Sequence, residues 1–348
     1  MMANLLAGAS GGITRIGRYF TVVSAIPSAL FATYLYLLIR SGAWDGRLNW
    51  AKVFDGLQLT DVALLTILTA AGALAANPLQ FMLVQFMEGY WNGSLLRLLA
   101  LSRTLHHRRR YLSIESRLNS SNWYLAHIAD ENSPSSPDSA IETLRAAALS
   151  AEMRRLKTRY PDRLEEVLPT QLGNMLRRHE RRAGSMYGID PLVALPRMAM
   201  TAQPRELEYL DNQRVQMELA VRTAVLGLLA AVVTIPFMWR EGAWLLLALV
   251  PYGIAYTAYR GAVALAAEYG MAIATLIDLN RFALYQRLRL AQPDDMTQER
   301  TRNETVMKIF RAEPSTHQNP PFLAFAPTVQ PPEESHSEQP TMSSDQEE

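Results

Sequence analysis

An all-α membrane protein, with two transmembrane helical hairpins flanking a mainly helical cytosolic domain and ending in a long final helix, is the fold class predicted by three observations. Four apolar runs, residues 19–39, 62–87, 223–239 and 243–259, contain no Asp, Glu, Lys or Arg. Arginines gather at alternate ends of those runs. Between the second and third runs, residues 88–219 carry 19 Lys/Arg against 16 Asp/Glu, a composition suited to water. The predicted divisions are an N-terminal hairpin (1–91), a cytosolic helical domain (92–219), a C-terminal hairpin with a helical extension (220–290) and an acidic, proline-rich tail (291–348) read as disordered.

About 20 apolar residues cross a hydrocarbon core of about 30 Å, so the first two runs are long enough alone. The last two are shorter. Arg260 extends the fourth by snorkelling its guanidinium to the headgroups while an apolar stretch continues to residue 267. Arg240-Glu241-Gly242 is the tight turn between the third and fourth runs. Basic residues precede the first run (Arg15, Arg18), follow the second (Arg97, Arg103, Arg108, Arg109, Arg110), precede the third (Arg214, Arg222) and follow the fourth (Arg281, Arg287, Arg289). The opposite side has Arg40, Arg47, Lys52 and Arg240. This bias predicts a multi-pass protein with both termini and the central domain in the cytoplasm. Trp44, Trp50, Trp91, Trp239 and Trp244 lie near the expected interfaces, where an indole buries its ring and hydrates its N–H. The first run exceeds the apolar core of a signal peptide and reads as a retained anchor.

Pro78 interrupts the second run and predicts a kink, because it lacks a backbone donor. Asn77, Gln80 and Gln85 are costly against lipid and form a candidate intramembrane polar site. After Glu88-Gly89-Tyr90-Trp91, leucines at 95, 96, 98, 99, 101 and 105 with interleaved arginines mark an interfacial helix. Each basic residue near anionic lipid contributes about 1 kcal/mol. A polar linker over 131–139 leads into a helix over 140–159, stopped by Tyr160-Pro161. A short helix over 162–167 ends before Pro169. Thr170 caps a helix over 171–183, and Gly184 stops it.

A helix over 205–220 feeds the third run. From Ala243, a helix of about 45 residues is expected, spanning about 65 Å. Ala258, Ala262, Ala266, Gly270 and Ala274 form a small-residue ridge at four-residue spacing along it, a helix-packing seam expected to face other parts of the same chain. Beyond Gln292 the chain carries a net negative charge, and disorder is expected from about 312. Its apolar island, with Phe322 and Phe325, has the form of a short docking motif.

One local pattern stands out: Leu168-Pro169-Thr170-x-Leu172-Gly173-Asn174, then Arg178-x-Glu180-x-x-Ala183-Gly184-x-x-Tyr187-Gly188-Ile189-Asp190 and Leu195-Pro196-Arg197. With Asn77-Pro78-Leu79-Gln80-Phe81 and Glu88-Gly89-Tyr90-Trp91, it resembles uncharacterised integral membrane proteins of high-GC Gram-positive bacteria. The resemblance covers roughly residues 15–290 and omits the tail. It implies two hydrophobic hairpins around a cytosolic region in a bacterial cytoplasmic membrane, and it carries no established chemistry.

The chain has no cysteine, which excludes disulfides and thiolate chemistry. No phosphate-binding glycine loop, nucleophile elbow or His-Glu-x-x-His motif occurs, so no cofactor, metal or catalytic residue is expected. Arg178, Glu180, Tyr187 and Asp190 form a candidate interaction or anion pocket. The expected role is a membrane-anchored interaction or signalling component. Its expected partners are the bilayer, a protein and possible further copies of itself, with no nucleic acid. The alternatives are a subunit of an oligomeric pore or transporter and a membrane-bound enzyme with a site near 178–190.

Overall fold

Helices make up almost all of the computed structural model, which describes residues 25–43, 48–49, 53, 58–91, 93–130, 137–311, 323 and 325, and the side chains of all of these but 75–78, 128–130 and 137–139. In chain order the helices are α1 (Ile26–Arg40), α2 (Leu59–Glu88), α3 (Ser94–Asp130), α4 (Pro137–Lys157), α5 (Gln171–Arg182), α6 (Pro191–Met198), α7 (Pro204–Met238), α8 (Leu249–Arg287) and α9 (Met296–Phe310). Short 3₁₀ turns occur at Leu164–Glu166, Ser185–Tyr187 and Gly242–Ala248. Arg15, Arg18, Trp44, Arg47, Trp50, Lys52, the linker residues 131–136, Phe322 and the side chain of Asn77 lie outside the described residues.

Among the described residues, two helical segments are long and apolar enough to cross a membrane: α7, and the 46 residues Gly242–Arg287 that join the last 3₁₀ turn to α8. The halves of α2, Leu59–Leu74 and Leu79–Glu88, pass the same test only together and diverge by 68°. Pro78 sits in that break, where its missing N–H removes a hydrogen bond of the helical ladder. α1 is a shorter apolar helix.

α7 and α8 form the spine. They approach closely because small residues line the seam: Ala224, Ala231, Ala255, Ala262 and Ala266 are all buried. A Cβ on Gly227 would lie 3.1 Å from both the Pro251 carbonyl oxygen and the Ala255 nitrogen. Of the ridge residues, Ala262 and Ala266 are buried, a Cβ on Gly270 would meet His179, Ala258 is half-buried, and Ala274 packs beside the core cluster farther along α8. α1 lies across the far end of α7, where Tyr34 and Thr234 share a hydrogen bond of 2.6 Å and Leu38 packs with Met238. Arg40 ties α1 to α2 through Asp61 at 3.0 Å.

At the opposite end, α5, α6 and α9 gather around α8 in a core that includes Ala194, Met198, Ile277, Leu284 and Met307. Here one expectation is corrected. The region 291–348 reads as a disordered tail, yet Met296–Phe310 is a helix that starts at an Asp295 cap and buries Val306 and Met307. Its polar composition hides a narrow apolar stripe, which packs on α6, the Ser185–Tyr187 turn and the end of α8. Leu323 also packs on this core, and Leu290 bridges to Phe325. The leucine-rich helix predicted after Trp91 is longer than expected. α3 runs on to Asp130 and pairs with α4 as a hairpin arm. The short helix expected over 162–167 reduces to a single 3₁₀ turn.

Candidate functional site

The distinctive Leu168–Asn174 pattern forms a joint. Thr170 caps α5 by accepting from the Gly173 N–H at 3.0 Å, and its hydroxyl donates to the Glu88 carbonyl at the end of α2, 2.8 Å away. Asn174 is wholly buried and closes the preceding loop. Its Nδ2 donates to the carbonyls of Leu168 (2.9 Å) and Thr170 (2.7 Å), and its Oδ1 accepts from the Leu168 N–H at 2.7 Å. The Gln171 N–H donates to the Tyr259 hydroxyl of α8 at 3.1 Å. A Cβ on Gly173 would stand 2.1 Å from the Glu88 carbonyl oxygen, so only glycine lets α5 meet the end of α2 this closely. Gly89, at φ 99°, turns the chain out of α2 in the left-handed region open to glycine.

Beside this joint lies the most deeply buried charge among the described residues. Arg222 is 0 % exposed, at the head of α7's apolar stretch. Its Nε donates to Gln80 Oε1 at 2.9 Å, and its Nη2 donates to the same oxygen. Gln80 is 7 % exposed and comes from the far limb of α2. A buried guanidinium at this depth is costly unless polar groups converge on it, so both helices are held in one register. A cleft of about 440 Å³ opens next to the pair, bounded by Gln80, Phe81, Glu88, Glu180, Glu218 and Tyr269 among others. Two of its carboxylates are paired, Glu218 with Arg214 at 2.8 Å and Glu180 with Arg177 at 3.2 Å. Gln85 is half-buried on the same limb. By sequence Arg222 is only one of the basic residues that precede the third run. The available signal was an arginine abutting an apolar run, opposite a run with internal glutamines.

The residues grouped as an anion pocket are placed in separate contacts. Arg178 donates to the Lys157 carbonyl at 2.7 Å, latching the end of α4. Glu180 pairs with Arg177. Tyr187 lies under the Arg281 guanidinium, 4.3 Å from its ring centre, and its carbonyl accepts from Asn303. Asp190 caps α6 through the Leu192 N–H and pairs with Arg311 of α9. Glu180 and Asp190 border one open cleft of about 390 Å³ that Arg178 and Tyr187 do not line. Two neighbouring arginines also tie the arm down: Arg181 pairs with Glu166 and Arg182 with Asp162. The Arg182 hydrogen bonds hold the Asp162 carboxyl below the usual carboxylate range. His179 faces Gly270 so closely that a Cβ there would lie 2.2 Å from its ring. Burial, helped by Arg178 and Arg182, pushes the His179 imidazole down to about 4.

The arm itself carries an open surface cleft. Ile114, Met153, Leu156, Tyr160 and Val167 pack its base, where His107 Nδ1 and the Tyr160 hydroxyl lie 2.7 Å apart. Toward its tip, α3 and α4 separate around a cleft of about 590 Å³ bordered by Arg117, Ser120, Tyr124, Ile141, Glu142 and Arg145 among others. Ser121, buried in that wall, donates to Glu142. At the tip Trp123 is 62 % exposed, and Tyr124, Ile141 and Leu144 are also exposed. Trp123 and His127 stack with ring centres 3.9 Å apart.

Compared with protein-family models, curated proteins and solved structures, the chain matches none. Among the described residues no group of three or more His, Asp or Glu side chains is placed to hold a metal ion.

Proposed function

We propose that the chain is a multi-pass component of a cytoplasmic membrane, of the kind its resemblance implies, with both termini inside, and that it works by binding a protein partner through the tip of the α3–α4 arm. The observation that carries this is the tip's exposed Trp123, Tyr124, Ile141 and Leu144 beside a cleft edged by Arg117 and Arg145. Aromatic anchors next to arginines are the residue types that concentrate binding energy at interfaces. The fitting partner is an acidic segment with apolar side chains. The arm is fixed at its base by Arg178, Arg181 and Arg182 and through them to the spine, so a load on the tip is transmitted to α8.

A photo-crosslinking residue at position 144 of the full-length protein, activated in native membranes, tests this. One defined adduct that disappears in a W123A/Y124A variant supports the reading. An adduct unaffected by those changes, or none at all from a correctly inserted protein, contradicts it.

A second reading, a pore or transporter subunit, is favoured by the Arg222–Gln80 pair, because buried ionisable groups on apolar helices mark solute paths. It predicts that reconstituted protein carries solute flux that changes at least tenfold on Gln80→Leu, while tip variants leave that flux unaltered.

A further inference from the structure

The first three turns of α3 are a leucine-rich helix that no other described element covers. Leu95 is 77 % exposed and Leu98 66 %, with Leu99 and Leu101 also open. The packed core of the arm begins only near His107 and Tyr111, so residues 94–106 project beyond the end of α4. They follow the far limb of α2 after the turn at Gly89, and Phe81, Met82 and Phe86 of that limb are exposed too, so apolar side chains are open on both sides of the turn. The charge along this stretch has a single sign. Residues 89–114 hold Arg97, Arg103, Arg108, Arg109 and Arg110 and not one Asp or Glu.

We propose that residues 94–106 lie in the plane of an anionic bilayer surface, with the leucines at the acyl boundary and Arg97 and Arg103 snorkelling to headgroup phosphates. The short connection to the exposed apolar limb of α2 keeps the helix near the edge of the same hydrocarbon layer. Arg97 and Arg103, in a segment that has no carboxylate of its own, are complementary to anionic headgroups. A second copy of the segment is a poor occupant, because self-pairing would bring arginines against arginines with no carboxylate within the segment to offset them. Long basic side chains suit the lipid boundary, since their stems bury against apolar groups while the heads reach phosphate. The inference rests on the membrane reading, and retention of the protein in carbonate-washed membranes tests that reading separately.

The absence of cysteine makes the test direct, because each introduced thiol is the only labelling site. Full-length L95C, L98C and L99C variants carry a nitroxide in lipid nanodiscs, with M200C, exposed on a loop between α6 and α7, as the aqueous control. Collision with oxygen is compared with collision with a water-soluble nickel chelate. In discs rich in phosphatidylglycerol, positions 95, 98 and 99 are expected to favour oxygen and position 200 nickel. In phosphatidylcholine discs, or in a R97E/R103E background, the preference for oxygen at 95 and 98 is expected to fall at least threefold. Nickel-favoured labels in the anionic discs overturn the proposal. So does a preference indifferent to lipid charge, and so does spin–spin broadening that places a second copy against these leucines.

Discussion

At the scale of single residues, the Gln80–Arg222 contact carries the sharpest energetic prediction. Arg222 is wholly buried and donates twice to one amide oxygen, so Gln80→Leu removes an acceptor from a charge that water cannot reach. A hydrogen bond to a buried charge is worth about 2–3 kcal/mol. Gln80→Leu is therefore expected to destabilise the protein by about that much in detergent unfolding, and the Q80L/R222M double variant to lose at least 1 kcal/mol less than the two single losses combined. Additive losses would mean the two side chains are energetically independent. Two glycines of α8 form a second test. A Cβ at Gly270 would meet the His179 ring, whereas one at Gly261 meets nothing within 4 Å. Gly270→Ala should lower stability by about 1–3 kcal/mol, and Gly261→Ala should raise it by about 0.4–1 kcal/mol. The sequence marked Gln80 as polar and Gly270 as part of a ridge, but their partners lie on other helices. Arg222 is 142 positions from Gln80, a distance over which no local pattern speaks.

Elements show more clearly what local sequence controls. The Thr170 cap, the stop before Gly184, the run of α7 through Ala220 and the length of α8 all follow from caps, glycines and an unbroken apolar period. α9 was hidden because its narrow apolar stripe lies among polar and charged residues inside a tail that is acidic as a whole, and α3 because a polar, serine-rich second half gives little periodicity. The Leu168–Asn174 pattern was legible as distinctive, but its role needs the end of α2 and Tyr259 of α8 in place. Asn174→Ala deletes three buried hydrogen bonds and leaves backbone groups of Leu168 and Thr170 without them, a loss of about 3 kcal/mol. Limited proteolysis should then cut near residues 160–170 at least tenfold faster, and an unchanged rate would remove the joint from this account.

The α5–α8 contact also has a pH signature. His179 has an ordinary value of 6.5 and a folded value of about 4, so between those pH values the unfolded chain binds the extra proton. Stability is complete above about 6.5 and falls as the pH drops toward about 4, since protonation favours unfolding throughout that window. His179→Gln should flatten the dependence of the melting temperature on pH over this range. An unchanged slope would assign the effect to other groups.

For the whole molecule, the α7–α8 spine joins an apolar half, flanked by α1 and α2, to a polar half in which α5, α6 and α9 close a core and the arm projects. The continuous helices make this arrangement stiff, because no loop interrupts either one between its apolar and polar halves. The proposed orientation places the Glu241-Gly242 turn outside the cell and the arm, the joint and Met200 inside it. A membrane-impermeant maleimide applied to intact cells producing single-cysteine variants tests this most directly. Labelling of G242C with protection of M200C until the membrane is permeabilised is the predicted result. Labelling of M200C in intact cells, with G242C protected, would contradict the account.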